Sequence, residues 1–374
     1  AAQPRAAANA DALKLVSQHT GLDVWIGQAF VDDVAVASVG DVVNLFDLKR
    51  LDRLKNVFPP IDFGGGCVCH LALLRIVGLH YSQNGIRKQP MATNSYQHID
   101  VRPIAGACGA EIHGVDVNNL SDAVFAEIRA AWNEHLVIFF RKQSLDDEQL
   151  KAFGQRFAPL FRHPNFVPQD DQPEIVRVYT GPEDQRIVGE DWHADTTCMP
   201  EPPSAAVLYA VEVPPTGGDT LFANQYLAYE TLSDSLRGVL DGMQSFHSDI
   251  RVAGPRAKAR LSGRTSVSRY DDEWQATEAM HPVVRTHPET GRRGLFVNAS
   301  YTQYFENMTE DESKPLLQFL ESHATRPEMT CRFRWEKGSV AVWDNRCVMH
   351  IAMHDYKGHW RKMHRVQMVG DRPV

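Results

Sequence analysis

From Asp100 onward, turn-forming clusters cut the chain into short apolar runs, and this rhythm constrains the fold more than any other feature of the sequence. The runs cover residues 175–179, 205–213, 220–223, 282–286, 295–298, 331–335, 340–343 and 363–369. Breaks such as Pro214-Pro215-Thr216-Gly217-Gly218 and Glu336-Lys337-Gly338-Ser339 separate them with residues that favour turns over extended chain. The run 136–140 is apolar at every position and reads as a buried strand. Helical signals are fewer. Ser121 can cap a helix carrying Val124, Phe125, Ile128, Ala131 and Trp132 at helical spacing. Ser144 can cap a second, with Asp146, Asp147 and Glu148 in a first turn where the helix dipole favours negative charge. A third, carrying Leu316, Leu317, Phe319 and Leu320, starts at Thr309 or Ser313. Pro315 favours the Ser313 start, because proline suits a first turn. Eight or so short strands with a few helices predict a mainly β jelly-roll with flanking helices, whose cavity can hold a metal and a small ligand.

Composition excludes several function classes. The 374 residues are 43% hydrophobic and 23% charged, with a formal net charge of -8. That sign repels phosphate backbones, and with no compensating Lys/Arg run nucleic-acid binding is not expected. Six cysteines are too few for a disulfide framework, and no apolar stretch approaches a membrane span. Without a signal-peptide layout at its start, the chain is expected in the cytoplasm, as a homo-oligomer acting on a small molecule. All ten methionines lie at or after Met91. Residues 1–92 are therefore expected to be an N-terminal extension, weakly ordered or lying upstream of a native start, and 93–374 the catalytic domain. The alternative is a genuine small domain.

His-x-Asp occurs three times, as His98/Asp100, His193/Asp195 and His247/Asp249. On a strand, residues two apart share a face, so each pair could present an imidazole and a carboxylate to one ion. A random pair of this kind is a solvated surface pair. His193/Asp195 is distinguished by its surroundings: Trp192 before it, Thr216-Gly217-Gly218-Asp219-Thr220 after it, and a late Trp343-Asp344-Asn345-Arg346 with His350. Two imidazoles and one carboxylate leave three coordination positions open, as non-haem iron(II) oxygenases require. A zinc site on His350 and His354 would need a glutamate directly after its first histidine, where Ile351 stands.

These motifs, with His281-Pro-Val-Val-Arg-Thr-His-Pro288, Leu295-Phe-Val-Asn298 and Asp355-Tyr356 followed by Arg361 and Arg365, resemble the taurine/2,4-dichlorophenoxyacetate dioxygenase (TauD/TfdA) family. The resemblance runs from about Val101 to Pro373. It implies a double-stranded β-helix of cupin-like form, bound Fe(II), and 2-oxoglutarate and O2 as co-substrates. By position, His193, Asp195 and His350 match the family's metal ligands. Arg361 and Thr220 match the residues that grip the far carboxylate of 2-oxoglutarate, a task suited to a bidentate guanidinium. Arg365 would share a strand face with Arg361, and two cations facing one cavity need an anion each. It matches the family's substrate arginine. His163 resembles the histidine that helps it, and Phe166 and Tyr301 are candidate apolar walls.

The resemblance has departures. Thr196, Cys198 and Met199 stand where taurine-type members carry bulkier apolar residues. The 187–191 and 330–335 segments are closer to the aryloxyalkanoate branch. The expected activity is hydroxylation of a small organic anion, whether a sulfonate such as taurine, an alkyl sulfate or an aryloxyalkanoate, with release of succinate and CO2. The competing readings are an inactive cupin-like binding protein and a zinc hydrolase.

Overall fold

The computed structural model describes residues 96–163, 172–260, 264–265 and 274–374, together with two short strands, Phe30–Val31 and Val34–Ala35. Apart from those two strands, the expected extension up to position 92 lies outside the described residues, as does Phe166. Contacts divide the chain between Gly85 and Ile86, and the unit from Ile86 carries all that follows.

Its strands are β1 (Asp100–Pro103), β2 (Ala110–His113), β3 (Val137–Phe140), β4 (Leu160–Phe161), β5 (Val176–Thr180), β6 (Ala205–Glu212), β7 (Thr220–Asn224), β8 (Gln244–Ser248), β9 (Glu278–Pro282), β10 (Val284–Thr286), β11 (Arg293–Leu295), β12 (Thr302–Phe305), β13 (Thr330–Phe333), β14 (Val340–Asp344), β15 (Val348–Ala352) and β16 (Arg361–Met368). The helices are α1 (Asp122–His135), α2 (Asp147–Gln155), α3 (Gln225–Glu230), α4 (Asp234–Leu240), α5 (Pro255–Arg260) and α6 (Glu310–Ala324).

One sheet runs β1-β2-β3-β14-β6-β16-β4, and β5 joins β4 along the outer edge of β16. Its central strands are buried on both faces, which explains their unbroken apolar sequence. Ile138, Phe140, Val207, Val340, Val342 and Val366 point towards Trp132 of α1 and Phe153 of α2. Their neighbours Val137, Phe139, Leu208, Ala341, Trp343 and Met363 point the other way, onto Phe222 and Phe333 of a second sheet, β13-β7-β15. Each fully buried side chain of this size contributes about 1.5–3 kcal/mol. A third sheet, β9-β8-β12, and the β10-β11 hairpin pack with α3, α4 and α6 around a separate apolar cluster. The jelly-roll core is thus a pair of facing sheets and not one closed ring. Among the described residues, no helix is long and apolar enough to cross a membrane.

Several local expectations need correction. Asp146, not Ser144, caps α2, because Gln149 completes a reciprocal capping box with it. Thr309 caps α6 through a box with Glu312, so Pro315 sits inside the helix. The Ser313 hydroxyl is buried instead, accepting from the Phe305 amide at 3.0 Å. Phe319 faces solvent, where it stacks on His323. The run 282–286 is split between β9 and β10, and β11 stops at Leu295.

Candidate metal centre

His193 and His350 lie opposite one another in an antiparallel bridge. The His193 amide donates to the His350 carbonyl at 3.1 Å, and the His350 amide returns the bond at 2.7 Å. Directly opposed residues carry their side chains close together, and the two rings lie 4.1 Å apart. Asp195 completes the cluster, its Oδ1 3.6 Å from His193 Nε2 and 3.8 Å from His350 Nε2. One ligand atom from each residue falls within 4.8 Å of the others, and all three residues are buried.

Asp195 reaches this position in a way the strand argument did not foresee. It lies in a turn, and Thr196 after it has φ 49°, the left-handed region that costs a β-branched residue energy. Asn345 steadies the carboxylate: its amide reaches Asp195 Oδ2 at 3.4 Å, while its oxygen accepts from Trp343 Nε1 at 2.8 Å. Arg365 Nη1 donates to Asp195 Oδ1 at 3.2 Å. Burial opposes ionisation of Asp195, but Arg365 and the imidazoles outweigh it and hold the carboxyl well below its usual range.

The donor set suits a divalent metal of intermediate softness. His193 Nδ1 donates to the Asp191 carbonyl at 2.7 Å, which fixes the tautomer and leaves Nε2 with its lone pair towards Asp195. Burial, reinforced by His193, pushes His350 well below the usual imidazole range, so it is neutral as a ligand must be. Gly189 has φ +77°, a conformation that favours glycine, and a Cβ there would stand 3.1 Å from His193 Cε1 and crowd that ring.

Arg361, Met363 and Arg365 alternate as buried residues along β16, on one face as their spacing predicted. Arg361 Nε donates to the Gly218 carbonyl at 3.1 Å, and its guanidinium lies 5.8 Å from the Trp335 ring. Trp335 Nε1 in turn donates to Thr220 Oγ1 at 2.9 Å. Among the described residues no carboxylate pairs with Arg361, and burial pushes its guanidinium below its usual range. Thr220 and Phe222 share a face of β7, and Phe222 pairs with His350 across the sheet.

His163 Nε2 lies 3.5 Å from Thr196 Oγ1, and burial together with Arg365 pushes it down to about 3. Tyr301 is buried, and burial, with Cys198 and Asp195 nearby, pushes its hydroxyl well above the usual phenol range. His354 stands apart from the cluster, its ring against Tyr356. His98 and Asp100 are exposed, as a surface pair should be, but His247 and Asp249 are wholly buried: His247 supports the 195–199 turn from behind, and Asp249 accepts from the Thr277 amide at 3.1 Å. A second compact group, His287, Asp344 and Cys347, is already closed by Arg346, whose fork meets both Asp344 oxygens at 2.8 and 2.7 Å. Sequence reasoning quoted Asn345 within a motif but missed its hold on Asp195. It had no signal for the Asp191 carbonyl.

A strand-rich sandwich carrying two histidines and one aspartate at a single buried point is the arrangement of mononuclear non-haem oxygenases. The chain belongs to the taurine catabolism dioxygenase TauD, TfdA family, whose description matches residues 100–367. It is similar to an alpha-ketoglutarate-dependent sulfate ester dioxygenase of Pseudomonas putida, 36% identical over 280 residues that span 74% of this chain and 91% of the relative. An (S)-phenoxypropionate/alpha-ketoglutarate-dioxygenase of Sphingobium herbicidovorans is 31% identical over 259 residues, 68% of this chain and 88% of its own. The crystal structure of a taurine dioxygenase from Burkholderia xenovorans, 38% identical, superposes with a TM-score of 0.63 over 74% of this chain and 91% of that one. The protein is a dioxygenase that consumes 2-oxoglutarate and O2.

Proposed function

We propose that this enzyme holds Fe(II) through His193, Asp195 and His350 and hydroxylates a small organic anion, with sulfate esters and sulfonates as the first substrate class. The reading rests on the convergence of His193 Nε2, His350 Nε2 and Asp195 Oδ1 on one buried point. Iron(II), when bound, supplies the O2 chemistry that couples decarboxylation of 2-oxoglutarate, giving succinate and CO2, to hydroxylation of a substrate C–H bond. The protein's part is positioning. Arg361 receives the far carboxylate of 2-oxoglutarate in a bidentate pair, supported by Thr220, because a buried guanidinium calls for an anion. The Asp191 carbonyl keeps the His193 proton on Nδ1, and Asn345 holds the Asp195 carboxylate.

Arg365 and His163 take the substrate's anionic group. A guanidinium has five N–H donors, so Arg365 can hold Asp195 and an oxyanion together. Tyr301 walls the pocket, and the buried surroundings keep water from the reacting carbon. Hydroxylation at a carbon bearing sulfate or sulfonate gives a product that collapses to a carbonyl compound, releasing sulfate or sulfite. The relative at 36% identity directs the choice towards sulfate esters. The test is iron-dependent succinate formation with alkyl sulfates, alkanesulfonates and aryloxyalkanoates side by side. His193→Ala, Asp195→Ala and His350→Ala are each expected to abolish it while the protein stays folded. Activity surviving in His350→Ala but lost in His354→Ala would overturn this ligand set. Coupled turnover of aryloxyalkanoates alone would overturn the sulfur-oxyanion assignment.

A further inference from the structure

Behind the Asp195 turn lies a polar network that the catalytic chemistry does not use. Asn298 is buried at its centre and makes two bonds in opposite directions. Its Nδ2 donates to Thr197 Oγ1 at 3.1 Å, and its Oδ1 accepts from the Tyr301 amide at 3.1 Å. Its own amide donates to Thr302 Oγ1 at 3.0 Å. Thr197 Oγ1 also pairs with His247 Nδ1 at 2.9 Å, and His247 Nε2 with Ser245 Oγ at 3.0 Å. His281 Nε2 donates to the Met199 carbonyl at 3.0 Å, fastening the far end of the same turn.

We propose that Asn298 is a positioning residue that joins the Asp195 turn to the Tyr301 wall, so that the metal-binding side and the substrate side of the pocket keep a fixed separation. The physical case begins at Thr196. A β-branched residue at positive φ persists only where its surroundings over-determine it, and Thr196 lies between Asp195 and the anchored Thr197. Tyr301 is held by Asn298 through its amide, and its carbonyl accepts from the Ser248 amide at 2.9 Å. One carboxamide thereby links Thr197 of the turn to Tyr301 of the wall. Alanine at 298 cuts that link on both sides and leaves the Thr197 hydroxyl and the Tyr301 amide without that partner in a buried site. The catalytic consequence rests on the proposed iron site and on Tyr301 lining the substrate pocket; the mechanical link does not.

The link is read first by amide hydrogen exchange on the full chain. Asn298→Ala is expected to speed exchange about ten-fold or more in both 196–199 and 299–303, with β6 unchanged. Faster exchange in one segment only, or in neither, overturns the joint. Should Asn298→Ala fail to fold, Thr197→Val decides the matter, because it removes the shared hydroxyl at nearly constant shape. It is expected to loosen 196–199 and 299–303 together, and Thr197→Ser to restore both. The second readout is turnover with an alkyl sulfate. Asn298→Ala and Thr197→Val should each raise KM for the sulfate about ten-fold and lower product formed per succinate, with Mn(II) affinity moved less than three-fold. The double variant should be no worse than the worse single, since both cut one path. Unchanged coupling, or defects that multiply, overturns the positioning role. Joint loosening in a wild-type protein that makes no iron-dependent succinate would leave the joint standing and sink the proposed function instead.

Discussion

At the scale of single residues, two buried arginines four positions apart on β16 face different neighbours. Arg365 has a carboxylate beside it in Asp195, whereas Arg361 has the Gly218 carbonyl and the Trp335 ring. Losing one partner of a desolvated charge pair costs about 3–5 kcal/mol, several hundred-fold or more in affinity. Arg361→Ala is therefore expected to weaken 2-oxoglutarate on that scale with every prime substrate. Arg361→Lys should rescue little, since an ammonium cannot form two parallel bonds. Arg365→Ala should leave the anaerobic Fe(II)–2-oxoglutarate absorption band in place, raise KM for the anionic substrate and uncouple decarboxylation from hydroxylation. Loss of the band in Arg365→Ala with retention in Arg361→Ala would show the two roles reversed. Arg346, by contrast, is engaged by both Asp344 and Glu289.

At the scale of elements, α6 shows a contest between two sequence rules. The Thr309–Glu312 capping box sets the start, and Pro315 is carried into the sixth position, where it cannot donate to the Asp311 carbonyl. Pro315→Ala is expected to stabilise the protein by about 1–2 kcal/mol, the helix gain less the entropy restored to the unfolded chain. A neutral or destabilising result in urea denaturation would return the helix start to Ser313. The same contest explains what was legible. The central strands β3, β6 and β14 of the large sheet were readable because both their faces are apolar, and burial on two sides leaves no polar interruption, whereas the short edge strands β1, β2 and β4 carried no such run. β8 and β12 were not, since Gln244-Ser245-Phe246-His247-Ser248 and Thr302-Gln303-Tyr304-Phe305 turn polar side chains into a buried hydrogen-bonded network. The candidate metal cluster was legible as a set of residues, but its geometry was not. Asp195 joins His193 through a strained turn, which no two-residue spacing encodes. Nor could the sequence show that His247/Asp249, a pair of the same pattern, would be enclosed, with His247 as a support to the turn.

At the scale of the whole molecule, folding encloses imidazoles in their neutral form. Burial holds His135, His247, His281 and His323 below the usual imidazole range, and pushes His281 down to about 4 from 6.5. Between those two values the unfolded chain binds a proton at position 281 that the folded protein refuses. The stability contribution of neutral His281 is therefore complete above about pH 6.5 and is lost progressively as pH falls towards 4. Asp344 acts in the same direction but in a lower window. Burial opposes its ionisation, yet Arg346 and His287 hold it below the usual carboxylate range, so its contribution goes only when the unfolded carboxylate protonates. Urea midpoints of the metal-free protein should thus already fall between pH 6.5 and 4.5, before carboxylates titrate. His281→Gln isolates one share of that slope, because glutamine can still donate to the Met199 carbonyl but binds no proton. The variant should lose up to one proton's worth of slope, about 1.4 kcal/mol per pH unit, while differing least from wild type at the acid end. A slope equal to that of wild type would mean that His281 is protonated in the folded protein, and that its bond to the 195–199 turn survives acidification.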